Sequence, residues 1–170
     1  MIGWAAVSTP LLHGLLLSLH VIGVVVWLGA GLYDGFVDHE IRRARGTPAE
    51  VTLARVYVRY GPVIVAAVLV VAVTGALQTN LFGWGWFDVA WLGAKQGLMA
   101  VVLVVLGGLF PSFAKLARLV AALPSDAPEL SDEARAVLAR VRPWLLLIRT
   151  CAFAALLLAV FRPVTWTGPS

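Results

Sequence analysis

The chain has 170 residues, of which 61% are hydrophobic and 13% charged, and its mean hydropathy is +0.91. A soluble domain is closer to half apolar and about a quarter charged, so this chain carries more apolar surface than one core can hide and lipid must cover the remainder. The single cysteine, Cys151, excludes an internal disulfide framework and a multi-thiolate metal site. The formal charge of +4 lies at the ends of apolar runs, which marks it as topological and not as a nucleic-acid-binding surface.

A helix needs about 20 apolar residues to cross roughly 30 Å of hydrocarbon. Residues 1–33 contain no Asp, Glu, Lys or Arg. Thr9 is placed as an N-cap with Pro10 at the first helical position, so the first span is predicted over residues 10–38. This run lacks a basic n-region and is too long for an h-region, so a cleaved signal peptide is not expected. The uncharged stretch between Arg59 and Asp88 predicts a second span over 60–80. The third, over 89–118, carries Lys95 in its apolar part, and the fourth, over 143–162, opens at Pro143 and contains Arg149. Ser131 followed by Asp132 and Glu133 reads as a helix start, which predicts a short cytoplasmic surface helix over 131–142 leading into the fourth span. The expected fold is all-α: a polytopic membrane four-helix bundle forming one domain over residues 1–170.

Orientation follows from the basic residues. Arg42, Arg43, Arg45, Arg55 and Arg59 follow the first span, and Lys115, Arg118, Arg135, Arg140 and Arg142 follow the third. The connection over residues 81–88 has none and the tail has only Arg162. Both basic loops are therefore expected in the cytoplasm and both termini outside, in a cytoplasmic (inner) membrane. Trp4, Trp84, Trp86, Trp91 and Trp166 fall at the outer interface in this arrangement, where an amphipathic ring is favoured.

An ionisable group at membrane depth costs several kcal/mol unless it is paired, snorkelling or wet. His13 and His20 are seven residues apart on the first helix, hence on one face and about 10 Å apart along the axis. They cannot both chelate one small ion or both be axial to one haem iron. His13 reads as an interfacial histidine or as a group near a propionate or a second haem. His20 reads as a seam histidine or as a cofactor ligand. Lys95 lies about 10 Å and His20 about 15 Å from the outer end at helical rise, so the two can approach each other, while snorkelling is the simple account of Lys95. Gly93 and Gly97 form a small-xxx-small pair around Lys95, which admits another helix or a flat ligand. Met99, one turn further in, is either a soft haem ligand or a space-filler. Gln78 and Asn80 end the second helix on the same side. Arg149 is expected to snorkel or meet an anionic headgroup. Asp34, Asp38, His39 and Glu40, beside Arg42 and Arg43, read as a solvated charge cluster.

The arrangement resembles the HemJ-type protoporphyrinogen IX oxidases and, more loosely, small CopD-like and DUF2269-like membrane proteins. Leu19-His20-Val21-Ile22 followed by Trp27, Gly29, Gly31, Tyr33 and His39 resembles the family's first helix. Arg59-Tyr60-Gly61-Pro62, Thr74-Gly75-Ala76-Leu77, Trp91-Leu92-Gly93-Ala94-Lys95 and Phe161-Arg162-Pro163 resemble its later motifs, so the likeness spans nearly the whole chain. Three features depart from the family. Gly35-Phe36 stands where it carries Pro-Arg, Leu109-Phe110-Pro111 occupies the region of a late third-helix histidine, and the inner loop has a Pro-rich insertion.

The resemblance implies haem b, with His20 as an iron ligand and Lys95 as its functional partner, and with Met99 and His13 as further cofactor-binding candidates. It implies an oxidoreductase that removes hydrogen from protoporphyrinogen IX and passes electrons to a quinone, so quinone and porphyrin join the lipid bilayer as expected partners. A second expectation, of a different class, is a non-catalytic accessory subunit of a respiratory or photosynthetic membrane complex, or a homo-oligomer. In that case the histidines are structural and the glycine-rich seams at Gly29/Gly31/Gly35 and Gly107/Gly108 pack partner helices. Copper handling of the CopD-like kind has few soft ligands to draw on, with one Cys and two Met.

Overall fold

A computed structural model of the chain describes residues 4–83 and 86–161, with side chains from Pro10 onward. Trp84, Trp166, Arg162, Pro163 and the side chains of Trp4 and Thr9 lie outside the described residues. The described residues form four helices: α1 (Trp4–Arg43), α2 (Pro48–Leu81), α3 (Ala90–Ala121) and α4 (Asp132–Val160). Each contains an 18-residue window of mean hydropathy 2.0 to 2.2 and is long and apolar enough to cross a bilayer. The protein is a multi-pass membrane protein. Its outward faces are apolar, with Leu11, Val104, Phe110 and Phe161 all more than 60% exposed, as lipid contact requires.

The helices outrun the spans expected from hydropathy, for identifiable reasons. α1 begins at Trp4, so Thr9 and Pro10 lie within it and Thr9 is not a cap. α2 begins at Pro48 rather than near residue 60, because residues 48–59 are amphipathic. Glu50, Val51, Ala54 and Tyr57 are buried, at the spacing of one helical face, while Arg59 is exposed. The N-cap Thr47 is extended, with Pro48 behind it, and its hydroxyl donates to the Ala44 carbonyl. Gly46, at φ +79°, turns the chain between α1 and α2, a conformation glycine adopts without steric cost.

The surface helix expected over 131–142 is instead the first part of α4, which runs through Pro143 to Val160. Ser131 caps it by accepting a hydrogen bond from the Ala134 N–H at 3.3 Å. An interior proline in a helix costs about 3 kcal/mol, yet here the buried stripe Ala134, Val137, Leu138 and Val141 continues past it as Ile148, Cys151 and Ala152. Packing on both sides of Pro143 keeps the helix continuous through it.

α1 packs along α2 and α3 along α4, giving two helical hairpins; α2 and α3 join them, and α1 meets α4 more lightly. The chain therefore has a basic end, formed by the α1–α2 and α3–α4 connections, and an opposite end formed by the α2–α3 connection. Arg55 ties the basic end together by donating to the carbonyls of Leu123 and Pro124 at 3.1 and 2.6 Å, a cation placed at the C-terminus of α3.

The α1–α2 seam is tight at one glycine. A Cβ on Gly23 would lie 2.9 Å from Val71 Cγ2 and 3.1 Å from Val70 Cγ1, whereas one on Gly29 meets open space. Gly23→Ala is expected to lower stability by about 1–3 kcal/mol through overpacking, and Gly29→Ala to leave it unchanged or raise it by about 0.5–1 kcal/mol. Thermal unfolding of the two variants side by side checks this; equal midpoints would contradict the seam.

Candidate functional site in the polar seams of the bundle

Of the three histidines of α1, His13 and His20 are partly buried and face α2. His13 meets the Phe82 ring edge-on at 4.4 Å between centroids. His20 Nδ1 lies 2.9 Å from Thr74 Oγ1. The Thr74 hydroxyl donates its one proton to the Val70 carbonyl at 2.6 Å, so its oxygen accepts from His20. That assigns the ring proton to Nδ1 and leaves the lone pair on Nε2. Gly75 makes the approach possible, since a Cβ there would stand 3.4 Å from His20 Cε1.

Lys95 of α3 lies near enough for its charge to act on the His20 ring, and its ammonium stands 5.5 Å over the centroid of Trp91, one turn nearer the opposite end. This is a cation–π arrangement. The structure thus joins His20 to Thr74 across α1 and α2, with Lys95 of α3 within electrostatic range of the pair. Met99 packs against the apolar core, and His13 lies nearer the opposite end with Phe82. The glycine pair flanking Lys95 divides: Gly93 accommodates Phe87, whose Cδ1 would lie 3.1 Å from a Cβ there, and Gly97 faces open space. Gln96, beside Lys95, accepts from the Phe87 N–H at 3.0 Å, while its buried Nε2 has no acceptor among the described residues.

The acidic group at the end of α1 is not the solvated cluster that its arginine neighbours imply. Asp34 and Asp38 are 9% and 7% exposed. They extend the stripe of Trp27, Ala30 and Gly31, and cations from α4 meet them. Arg142 holds Asp38 through Nε and Nη2 at 2.8 to 3.1 Å. Asp34 lies near the Tyr57 hydroxyl and the charge of Arg149. Arg149 lies along Gly31 and Gly35, whose missing side chains make room for it; it reaches α1 rather than simply snorkelling. His39 is exposed, and Glu40 stands 4.0 Å from Arg43.

A third polar group, at the basic end, was not singled out from the sequence. Glu50 is 2% exposed. Its carboxylate accepts from Arg135 Nε and Nη2 at 2.9 and 2.7 Å, from the Gly46 N–H at 3.0 Å and from the Leu130 N–H at 3.4 Å. One side chain thereby fastens the α1–α2 turn to the α3–α4 connection. The available signal was the Thr47-x-x-Glu50 pattern of a capping box, with the glutamate here reaching one residue further back than usual.

No group of three or more His, Cys, Asp or Glu is gathered for a chelated metal ion among the described residues. A haem makes a smaller demand on the protein: one axial nitrogen, and charge or hydrogen-bond donors for its carboxylates. His20 offers the first, with Nδ1 held by a neighbouring oxygen as metal-bound histidines usually are. Lys95 and the Gln96 amide offer donors of the second kind. The residues fit that group. Comparison of the chain with family models, with curated proteins and with solved structures returns no match.

Proposed function

We propose that the chain is a membrane redox protein that binds haem b through His20, lying in a cytoplasmic membrane with both basic connections inside and both termini outside. The observation that carries the proposal is the His20–Thr74 hydrogen bond, which presents Nε2 as a ligand within reach of the Lys95 charge. The resemblance to HemJ-type oxidases supplies the reaction, oxidation of protoporphyrinogen IX with a quinone acceptor. Each pair of hydrogens leaving the porphyrinogen reduces one quinone to a quinol. Haem, when bound, supplies one-electron redox chemistry. The chain's own part is to fix the His20 ring through Thr74 and Gly75 and to offer Lys95 and Gln96 to carboxylates of the cofactor or substrate.

The test is the haem content of protein purified from haem-replete cells. About one haem per chain is expected, and anaerobic turnover of protoporphyrinogen with a soluble quinone would extend the proposal to the enzyme. A colourless preparation would end the haem reading.

A second reading, an accessory subunit of a larger membrane complex, draws on the same seam: the His20 ring is already hydrogen-bonded and closely packed against Gly75, as a structural histidine would be. Thr74→Val separates the two. On the haem reading it changes the spectrum or potential of the bound cofactor; on the structural reading it changes stability alone.

A further inference from the structure

Two cavities lie one above the other on the same side of α4. The first is a cleft of about 470 Å³ at the basic end, between the end of α1 and the start of α4, lined by four arginines (Arg42, Arg45, Arg135 and Arg142) against two acids (Glu50 and Asp132). Its apolar floor is Ile41, Leu138 and the alanines of α4. The second is an apolar groove of about 410 Å³ formed by Leu146, Arg149, Thr150, Phe153, Ala154 and Leu157. Ala139, Arg142, Leu146, Arg149, Phe153 and Leu157 recur every three to four residues, so they form one stripe, and the cleft leads into the groove. α1 and α4 meet through Arg142 and Arg149 and pack lightly otherwise, and the stripe faces outward at Leu146 and Leu157, both exposed.

The charges in the cleft are unevenly committed. Arg135 is held by Glu50, Glu129 and Asp132, and Arg142 by Asp38. Arg42 has more than half of its side chain exposed and, among the described residues, meets only Asp38, through its Nε, at 3.5 Å from the carboxylate and 3.4 Å from the carbonyl. Arg45 is exposed and makes no ion pair or hydrogen bond among the described residues. The positive charge left facing the opening is therefore that of Arg42 and Arg45, beside an apolar floor. From Leu146 to Leu157 the groove rises about 16 Å at helical pitch, close to the roughly 15 Å of one leaflet's hydrocarbon.

We propose that this face holds one anionic phospholipid, its phosphate headgroup on Arg42 and Arg45 and one acyl chain along Leu146, Phe153 and Leu157. A basic pocket between helix ends at the membrane surface is the setting in which such headgroups bind, and the apolar track of one leaflet's length above it selects a lipid over a soluble phosphate. The site stands apart from His20 and does not rest on the haem reading.

The full chain in a neutral detergent, titrated with phosphatidylglycerol and followed by native mass spectrometry and thermal shift, tests this. Phosphatidylglycerol binds and stabilises, phosphatidylcholine at the same concentration binds at least tenfold more weakly, and inorganic phosphate gives no shift. The Arg42→Gln/Arg45→Gln double variant weakens phosphatidylglycerol binding roughly thirtyfold. Both side chains are exposed, so it keeps the wild-type fold, which the unfolding midpoint without lipid verifies. Arg59→Gln/Arg140→Gln, two exposed arginines outside the cleft, leaves binding unchanged. Equal binding of the two lipids, a full shift with inorganic phosphate, wild-type affinity in the cleft variant or equal loss in both variants would overturn the proposal.

Discussion

Glu50→Ala is expected to destabilise the protein by about 3–5 kcal/mol. The carboxylate is buried and accepts four hydrogen bonds, two from the Arg135 guanidinium and two from backbone N–H groups of separate connections. Its removal leaves the Gly46 and Leu130 N–H groups without their acceptor and takes from Arg135 its most buried partner. Arg135 keeps Glu129 and Asp132, which places the cost toward the lower end of the range. Glu50→Gln retains one acceptor oxygen and the side-chain volume, so it should lose less. Cys151 is the chain's one cysteine and is buried, so its labelling by a maleimide dye on heating reports unfolding. A Glu50→Ala midpoint within a degree or two of wild type would show that the connections are fastened in some other way.

The second large effect lies between the hairpins. Arg142 is bound bidentately by Asp38, and the other α1–α4 bridge is Arg149 along Gly31 and Gly35. Asp38→Leu leaves a half-buried guanidinium beside apolar neighbours and should cost about 3–5 kcal/mol. Arg142→Met strands the carboxylate, although Arg42 at 3.5 Å offers it partial compensation, so its cost should be smaller. The double variant Asp38→Leu/Arg142→Met removes both charges and should recover most of the loss, because a buried ion pair gains little over a packed apolar pair of similar size. A thermodynamic cycle over the four proteins should therefore give a coupling of at least about 3 kcal/mol. Additive losses would mean that the two residues do not act as a pair in the membrane.

The apolar spans were legible in the sequence because each crossing needs an uninterrupted run of about 20 apolar residues, a signal that survives without tertiary information. Their basic-end extensions were not, since residues 48–59 and 132–142 mix charge with apolar residues and become helical walls only when packed into the bundle. Pro143 illustrates the limit. Its chemistry marks a helix start, and the stripe running from Ala134 to Ala152 overrides it.

The polar seams divide in the same way. His20 and Lys95 stood out by depth, and the structure adds Thr74 and Gly75, whose roles depend on the rotation of α2 about its axis. Asp34 and Asp38 looked solvated because Arg42 and Arg43 follow them in sequence. Their actual partners, Arg149 and Arg142, come from more than a hundred residues away, and only the four-residue spacing that continues the stripe of Ala30 and Gly31 hinted at burial.

The most direct test of the account is the visible absorption spectrum of purified His20→Ala beside the wild type and His13→Ala, with haem content normalised to chain. The wild type and His13→Ala should show a Soret band and His20→Ala should lack it while unfolding at a wild-type-like temperature. A Soret band retained in His20→Ala would remove His20 as the ligand, and a wild type without one would remove the cofactor.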